Sequence, residues 1–153
     1  MNLTGKVAFI TGGSRGIGRA ISQKLASFGA NVFLTFNERQ MEAEKVVREI
    51  KNLNGNANFA KMNVCMRSEV STAMEKCEDS FNGIDILVNN AGINMPKDFD
   101  KILDKDWDEI MATNLKGPFI CSQLAIKFMK KRGGGSIINI GSVSGQYGGP
   151  RTA

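Results

Sequence analysis

The chain has 153 residues, 42% hydrophobic and 23% charged, which suits one globular domain and is too apolar for a disordered segment. It contains no histidine, which excludes Ser-His-Asp hydrolysis, Cys–His chemistry and His-ligated zinc. No run reaches the ~18–20 apolar residues that span a bilayer, no secretion signal opens the chain, and the net charge of +5 comes with one Trp and one Tyr, too few for stacking single strands, so a cytoplasmic chain with neither membrane nor nucleic-acid partner is expected.

The first element is a strand over Lys6–Thr11, a short apolar run that stops at Gly12-Gly13 and suits burial on both faces. The period then changes. Ile17, Ala20, Ile21, Leu25 and Phe28 recur at helical spacing and predict a sheet-facing stripe, closed by Gly29. Asn31–Phe36 is a second strand. A charged helix over Arg39–Asn52 follows, with Val46, Ile50 and Leu53 on its inner side, broken by Asn54-Gly55-Asn56. Ala57–Met62 is a third strand, and Val70, Ala73, Met74, Cys77 and Phe81 mark a third helix.

Ile84–Val88 is a fourth strand ending in Asn89-Asn90-Ala91-Gly92. A helical stretch from Leu103 to Lys131 contains Gly117-Pro118, where the missing proline N–H predicts a break or kink. Gly133-Gly134-Gly135 ends it, and Ser136–Ile140 is a fifth strand. Strict alternation of strand and helix predicts an α/β fold: a doubly wound parallel sheet in three layers. The cysteines, Cys65, Cys77 and Cys121, allow no disulfide framework and no CxxC metal knuckle. They read as buried packing residues, and no metal is expected.

The glycine turn carries the first chemistry. Thr11-Gly12-Gly13-Ser14-Arg15-Gly16-Ile17-Gly18 joins the first strand to the first helix, where backbone can approach a ligand closely. A helix start offers free N–H groups and a positive dipole end, which suit a phosphate. The spacing is Gly-x3-Gly-x-Gly rather than the Gly-x-Gly-x2-Gly of the standard dinucleotide fingerprint, and no Gly-Lys-Ser/Thr follows to make a P-loop.

Thr11-Gly12 with Gly16-Ile17-Gly18, Asn89-Asn90-Ala91-Gly92, Asn114 in Thr113-Asn114-Leu115, and Ser142 in Ile140-Gly141-Ser142 occur in this order. Together they resemble the short-chain dehydrogenase/reductase family over the whole chain, most of all those members that reduce 3-oxoacyl groups on acyl carrier protein. The resemblance implies a single, incomplete NAD(P)-binding Rossmann-like domain over residues 1–153. It implies a cofactor held by Gly12, Ser14, Arg15, Gly16, Ile17, Gly18, Asn37, Asn63, Val64, Asn90, Ala91 and Gly92. Ser142 and Asn114 are the implied catalytic residues: the serine gives a hydrogen bond to the carbonyl oxygen, and the asparagine helps hold a water relay.

Where NAD-using Rossmann sites place an acid at the end of strand two, this chain has Phe36 and Asn37. Arg15 in the turn and Arg39 beyond the strand would welcome a 2′-phosphate, so NADP(H) is favoured over NAD(H). Glu38 competes with this reading; it is taken as the exposed first turn of helix two, where an acid suits the dipole.

The family's Tyr-xxx-Lys falls just past Ala153. Tyr147, with Arg151 one helical turn on, is expected to pack in a loop near the substrate mouth rather than replace it. The family also continues with two more strands and their helices, so the chain reads as truncated, with an exposed strand-five edge. The function implied is NADP(H)-dependent reduction of a carbonyl, a 3-oxoacyl thioester on acyl carrier protein, with the chain inactive alone. A complete form would be a homo-oligomer, and Lys130-Lys131-Arg132 could meet the carrier protein. The alternative is a non-catalytic dinucleotide-binding fragment or interaction module.

Overall fold

Val7–Ile10 forms strand β1, buried along its whole length, as a four-residue apolar run covered on both faces must be. The computed structural model describes residues 1–148, Gln146 as backbone only. After β1 come helix α1 (Gly16–Ser27), β2 (Asn31–Phe36), α2 (Gln40–Asn52), β3 (Ala57–Lys61), α3 (Arg67–Phe81) and β4 (Ile86–Asn89). Then follow a 3-10 turn (Phe99–Lys101), α4 (Asp104–Met111), a π-helical turn (Ala112–Lys116), α5 (Gly117–Lys131), β5 (Ser136–Asn139) and one helical turn, α6 (Ser144–Tyr147).

All five strands are parallel, in the order β3-β2-β1-β4-β5. This is the doubly wound Rossmann-like sheet that the alternation predicts. On one face Phe9, Phe33 and Leu87 pack with Val70, Met74 and Cys77 of α3 and Ile120, Cys121 and Phe128 of α5. On the other, Ile10, Leu34 and Val88 pack with Val46 and Ile50 of α2 and with Ile21 and Leu25 of α1. The chain reverses direction in the sheet between β1 and β4, so the ends of these two strands diverge and open a crevice.

Some expectations change in detail. The stripe α1 turns to the sheet runs through Gly18, Ile21, Ser22 and Leu25, while Ile17 and Ala20 are exposed. Leu53 is exposed beyond the end of α2 rather than on its inner side. Cys77 and Cys121 are buried as expected, but Cys65 is only half-buried. The long helical stretch is irregular where Gly117-Pro118 predicts it, but by widening rather than breaking: α4 runs into the π turn, which the Gly117 N–H closes on the Ala112 carbonyl, and α5 continues from Gly117. Pro118 has no N–H to offer the Asn114 carbonyl one turn back, and a local widening of the helix is the usual response.

The opposite ends of β1 and β4 are stapled by charge. The buried Asp85 carboxylate accepts the Val7 N–H at 2.9 Å, Arg132 Nη2 at 3.0 Å and Lys6 Nζ at 3.2 Å. Arg132 also donates to the Gly5 carbonyl at 2.9 Å. Burial works against the Asp85 charge, but Val7, Arg132 and Lys6 outweigh it and hold its carboxyl below the usual carboxylate range.

Candidate functional site

The glycine turn lies in the crevice at the carboxyl ends of β1 and β4. Gly12 has φ +63° and its missing Cβ would stand 3.1 Å from Ala91 Cα; the left-handed backbone and the close approach both demand glycine there. At Gly18 the demand is spatial, since a Cβ would fall 2.3 Å from the Gly12 carbonyl oxygen and 2.4 Å from Asn90 Nδ2. Helix, turn and β4 end therefore meet at backbone distance. Arg15, the N-cap of α1, caps no N–H with its side chain, and the first turn holds no acid. The first N–H groups of α1 are thus left for an external acceptor.

Asn90 and Thr11 lock the turn to β4. Asn90 Nδ2 donates to the carbonyls of Thr11 and Gly12, at 2.9 and 3.0 Å. Thr11 Oγ1 accepts the N–H groups of Asn90 and Ala91, at 3.0 and 2.9 Å. A cleft of about 570 Å³ lies over this knot. All twelve residues expected to hold a dinucleotide line it: Gly12, Ser14, Arg15, Gly16, Ile17, Gly18, Asn37, Asn63, Val64, Asn90, Ala91 and Gly92. Its volume lies within the range of small-molecule sites.

Its charges are mixed. Arg15 and Arg39 line it, but so do Glu38 and Glu109. Glu38 precedes α2, which begins at Gln40, so it is a cleft residue and not the helix-turn acid expected from the sequence. Asn63 is held by its neighbours: its N–H donates to Glu69 at 2.8 Å and its Oδ1 accepts the Cys65 N–H at 2.9 Å. This turn presents Val64 to the cleft floor beside Gly117, whose missing Cβ would stand 2.8 Å from Val64 Cγ2. Cys65 also lines the cleft, with Sγ 3.5 Å from Thr113 Oγ1. Behind it, burial and the nearby Cys65 push the Cys121 thiol up to about 12.

A second cleft continues toward β5, lined among others by Ile17, Asn90, Gly92, Asn114, Ser122 and Ser142. Both expected catalytic residues therefore face the space next to the glycine turn. Ser142, exposed just beyond β5, accepts the Ser144 N–H on Oγ at 3.2 Å and still has its own proton to donate. The Asn114 side chain pairs both ways with the Ile93 backbone: Oδ1 accepts the N–H and Nδ2 donates to the carbonyl, each at 2.9 Å. That amide is thus used to hold the loop after β4 against the π turn.

Tyr147, expected to pack near the substrate mouth, is 83% exposed at the end of α6; one helical turn after β5 is too short to fold it back. Arg151 and the helix expected to begin near Pro150 lie outside the described residues. The Lys130-Lys131-Arg132 run stands at the far end of α5 from the cleft. Arg132 is held by Asp85, and Lys131 pairs with Glu78 at 3.0 Å. Residues missed from the sequence are Thr11, whose place in the motif gives no sign of its two accepted bonds, and Cys65, Glu109 and Thr113, which only the packing of α4 and the β3–α3 loop brings to the cleft.

The family model of short chain dehydrogenase matches residues 6–153. Among curated proteins, 3-oxoacyl-[acyl-carrier-protein] reductase FabG of Aquifex aeolicus is 42% identical over 97% of this chain and 60% of its own length. The 3-oxoacyl-[acyl-carrier-protein] reductase of Synechocystis is 39% identical over 99% of this chain and 61% of its own. A solved mutant of a Serratia marcescens short-chain dehydrogenase/reductase superposes with a TM-score of 0.88 at 36% identity, covering 94% of this chain and 58% of that one. The chain thus spans about three-fifths of the length of the relatives it matches. With the glycine turn, the Asn90 knot and the cleft in the places the motifs predict, the chain belongs to the short-chain dehydrogenase family.

Proposed function

We propose that this chain is the dinucleotide-binding part of an NADP(H)-dependent oxidoreductase that reduces a carbonyl to an alcohol. The observation that carries the reading is the joining of an uncapped α1 N-terminus to a turn that glycine alone can form, both facing one cleft. The pyrophosphate would lie on the N–H groups of α1 around Gly16 and Ile17. Val64 and Asn63 would border the adenine, and Asn90, Ala91 and Gly92 the adenosine ribose. Arg15 and Arg39 favour a 2′-phosphate, hence NADP(H) over NAD(H). When bound, the cofactor supplies hydride.

A carbonyl carbon that gains hydride leaves negative charge on its oxygen, and Ser142, which lines the second cleft, would donate its Oγ–H to that oxygen. The π turn leaves the Asn114 carbonyl without an α-helical donor at Pro118, which suits it to hold a water, while its side chain fixes the loop at Ile93. The oxygen also needs a proton. The chain's one tyrosine, Tyr147, is turned to solvent, so these 153 residues bind cofactor without turning over substrate unaided. The substrate class suggested by the relatives is a 3-oxoacyl thioester on acyl carrier protein, and the complete assembly is a homo-oligomer in the cytoplasm, with residues 1–153 forming part of one domain.

Titration of the purified chain with NADPH and NADH tests this reading, alongside NADPH oxidation with a 3-oxoacyl thioester. Binding of NADPH with little or no substrate-dependent oxidation is expected. Failure of a folded preparation to bind either dinucleotide removes the reductase reading, and rapid turnover removes the requirement for a further proton donor.

A further inference from the structure

We infer that Glu109 selects the base of the bound dinucleotide: its carboxylate accepts the exocyclic amine of adenine, so the cleft takes an amino purine and turns away hypoxanthine, which carries a carbonyl in that place. The inference rests on the dinucleotide reading of the cleft and assigns the base-recognising group of that same site.

The cleft runs across the ends of three strands, from the glycine turn after β1, past Phe36 at the end of β2, to Met62, Val64 and Cys65 after β3. Its two ends differ in chemistry. The turn end offers backbone N–H groups at a helix start and suits phosphate. At the β3 end Met62 and Val64 are buried and Cys65 is half-buried. The Met62 N–H donates to the Phe36 carbonyl at 2.8 Å, which holds this wall to the end of β2. An apolar wall suits a flat, uncharged ring, so the base belongs at this end.

Bases are told apart by the donors and acceptors on their edges, so the polar side chains beside the wall decide which one is taken. Asn63 Oδ1 is engaged by the Cys65 N–H at 2.9 Å, and Asn63 Nδ2 can only donate. Thr113 Oγ1 lies against Cys65 Sγ at 3.5 Å. Glu109 precedes Thr113 by one helical turn and lines the cleft with it, so the two share a helix face. Glu109 is exposed, and its carboxylate has no hydrogen-bond or ion-pair partner among the described residues. Glu38, the other acid lining the cleft, comes from the loop after β2 with Arg39, whereas Glu109 comes from α4 on the side of Thr113 and Cys65.

A carboxylate accepts hydrogen bonds and donates none. The amine of adenine meets it with a donor, and the bond is charge-assisted. The carbonyl of hypoxanthine meets it with a second acceptor, so that bond is lost and two lone-pair-bearing oxygens face each other.

The test is titration of the purified chain with NADPH and with its analogue carrying hypoxanthine in place of adenine. NADPH is expected to bind about tenfold or more tightly than the analogue, the weight of a hydrogen bond to a charged group. Glu109→Gln can turn its amide N–H to the carbonyl, and Glu109→Ala offers the base nothing; each should bring the two affinities within about twofold of one another. Glu38→Gln should keep the preference. The two dinucleotides carry the same phosphates, so a general charge effect of a substitution cancels in the ratio of their affinities. Glu109 and Glu38 are exposed, and the circular dichroism of the variants should match the parent; the parent ratio needs no variant at all. Equal binding of the two dinucleotides by the parent overturns the inference, as does a preference that survives in Glu109→Ala or vanishes in Glu38→Gln. In each of these cases NADPH still binds and the cofactor reading stands, whereas a folded parent chain that fails to bind NADPH removes both.

Discussion

Asn90 and Thr11 exchange bonds in both directions across the β1–β4 crevice. The Asn90 amide donates to the Thr11 and Gly12 carbonyls, and the Thr11 hydroxyl accepts the Asn90 and Ala91 N–H groups. The glycine turn is therefore held from the far strand, and its shape depends on residues distant in sequence. Asn90→Ala leaves two turn carbonyls without that donor, and Thr11→Val leaves two N–H groups without an acceptor. Each is expected to cost about 1–3 kcal/mol of stability and to weaken NADPH binding. Urea melts and dinucleotide titration check this; unchanged affinity in a folded variant would show that the turn holds its shape without the knot.

Gly18→Ala tests the close approach itself. The added methyl meets the Gly12 carbonyl and the Asn90 amide, groups that can move apart only by opening the turn. A loss of about 1–3 kcal/mol is expected, with dinucleotide affinity falling along with it. A variant as stable as the parent, measured by thermal melting, contradicts the packing described for this helix.

Arg15 and Glu38 face the same cleft with opposite charge. Arg15→Ala is expected to weaken NADPH about tenfold and NADH far less, since a charge-assisted hydrogen bond contributes roughly 1.5–3 kcal/mol. Glu38→Gln removes an anion from the 2′-phosphate end and should tighten NADPH or leave it unchanged. Parallel titrations with both dinucleotides decide it: equal losses for NADPH and NADH on Arg15→Ala remove the 2′-phosphate contact.

Asp85 makes a pH prediction. Its folded-state carboxyl is held below the usual range, so the stability it contributes is fully present above the unfolded value of about 3.9. That stability is lost as pH falls from there through the depressed folded value. Asp85→Asn removes the negative charge and turns one of the two oxygens that accept from Lys6, Val7 N–H and Arg132 into a donor, and is expected to cost about 1–3 kcal/mol at neutral pH. It should also flatten the acid limb of the stability curve. Asp106, held low by Lys97 and the Leu103 N–H, shifts in the same direction and leaves a residual slope. Chemical denaturation at a series of pH values reads both effects, and an unchanged acid slope in Asp85→Asn contradicts the assignment.

The cysteines differ in access. Cys77 and Cys121 are buried with raised thiol values, chiefly from burial, whereas Cys65 is half-buried and lines the cleft. Cys65 is expected to react first with a thiol reagent, and saturating NADPH to slow that reaction severalfold by covering the cleft. Mass spectrometry of the labelled chain checks both; labelling that NADPH does not affect places the dinucleotide away from Val64 and Cys65.

The order of the five strands and of the helices between β1 and β4 was legible in the residues themselves. The change from strand to helix period at Gly12–Gly18 is local, as are the Gly29 stop and the Pro118 irregularity, and backbone sterics act within a few residues. The motifs that border the cleft were legible through the family resemblance they carry, but alternation alone leaves the neighbour of β1 open, and the sheet order set β4 beside it. The tertiary structure alone decided which face of α1 meets the sheet. Gly18 and Ser22 turn inward and Ile17 outward because the turn must pass under Asn90, a constraint that hydrophobic period does not encode. It alone placed Glu38 and Glu109 in the cleft, turned Tyr147 to solvent, and gave Arg132 to Asp85. Each of these outcomes depends on contacts between residues far apart in the chain, where packing and the satisfaction of buried polar groups outweigh local preference.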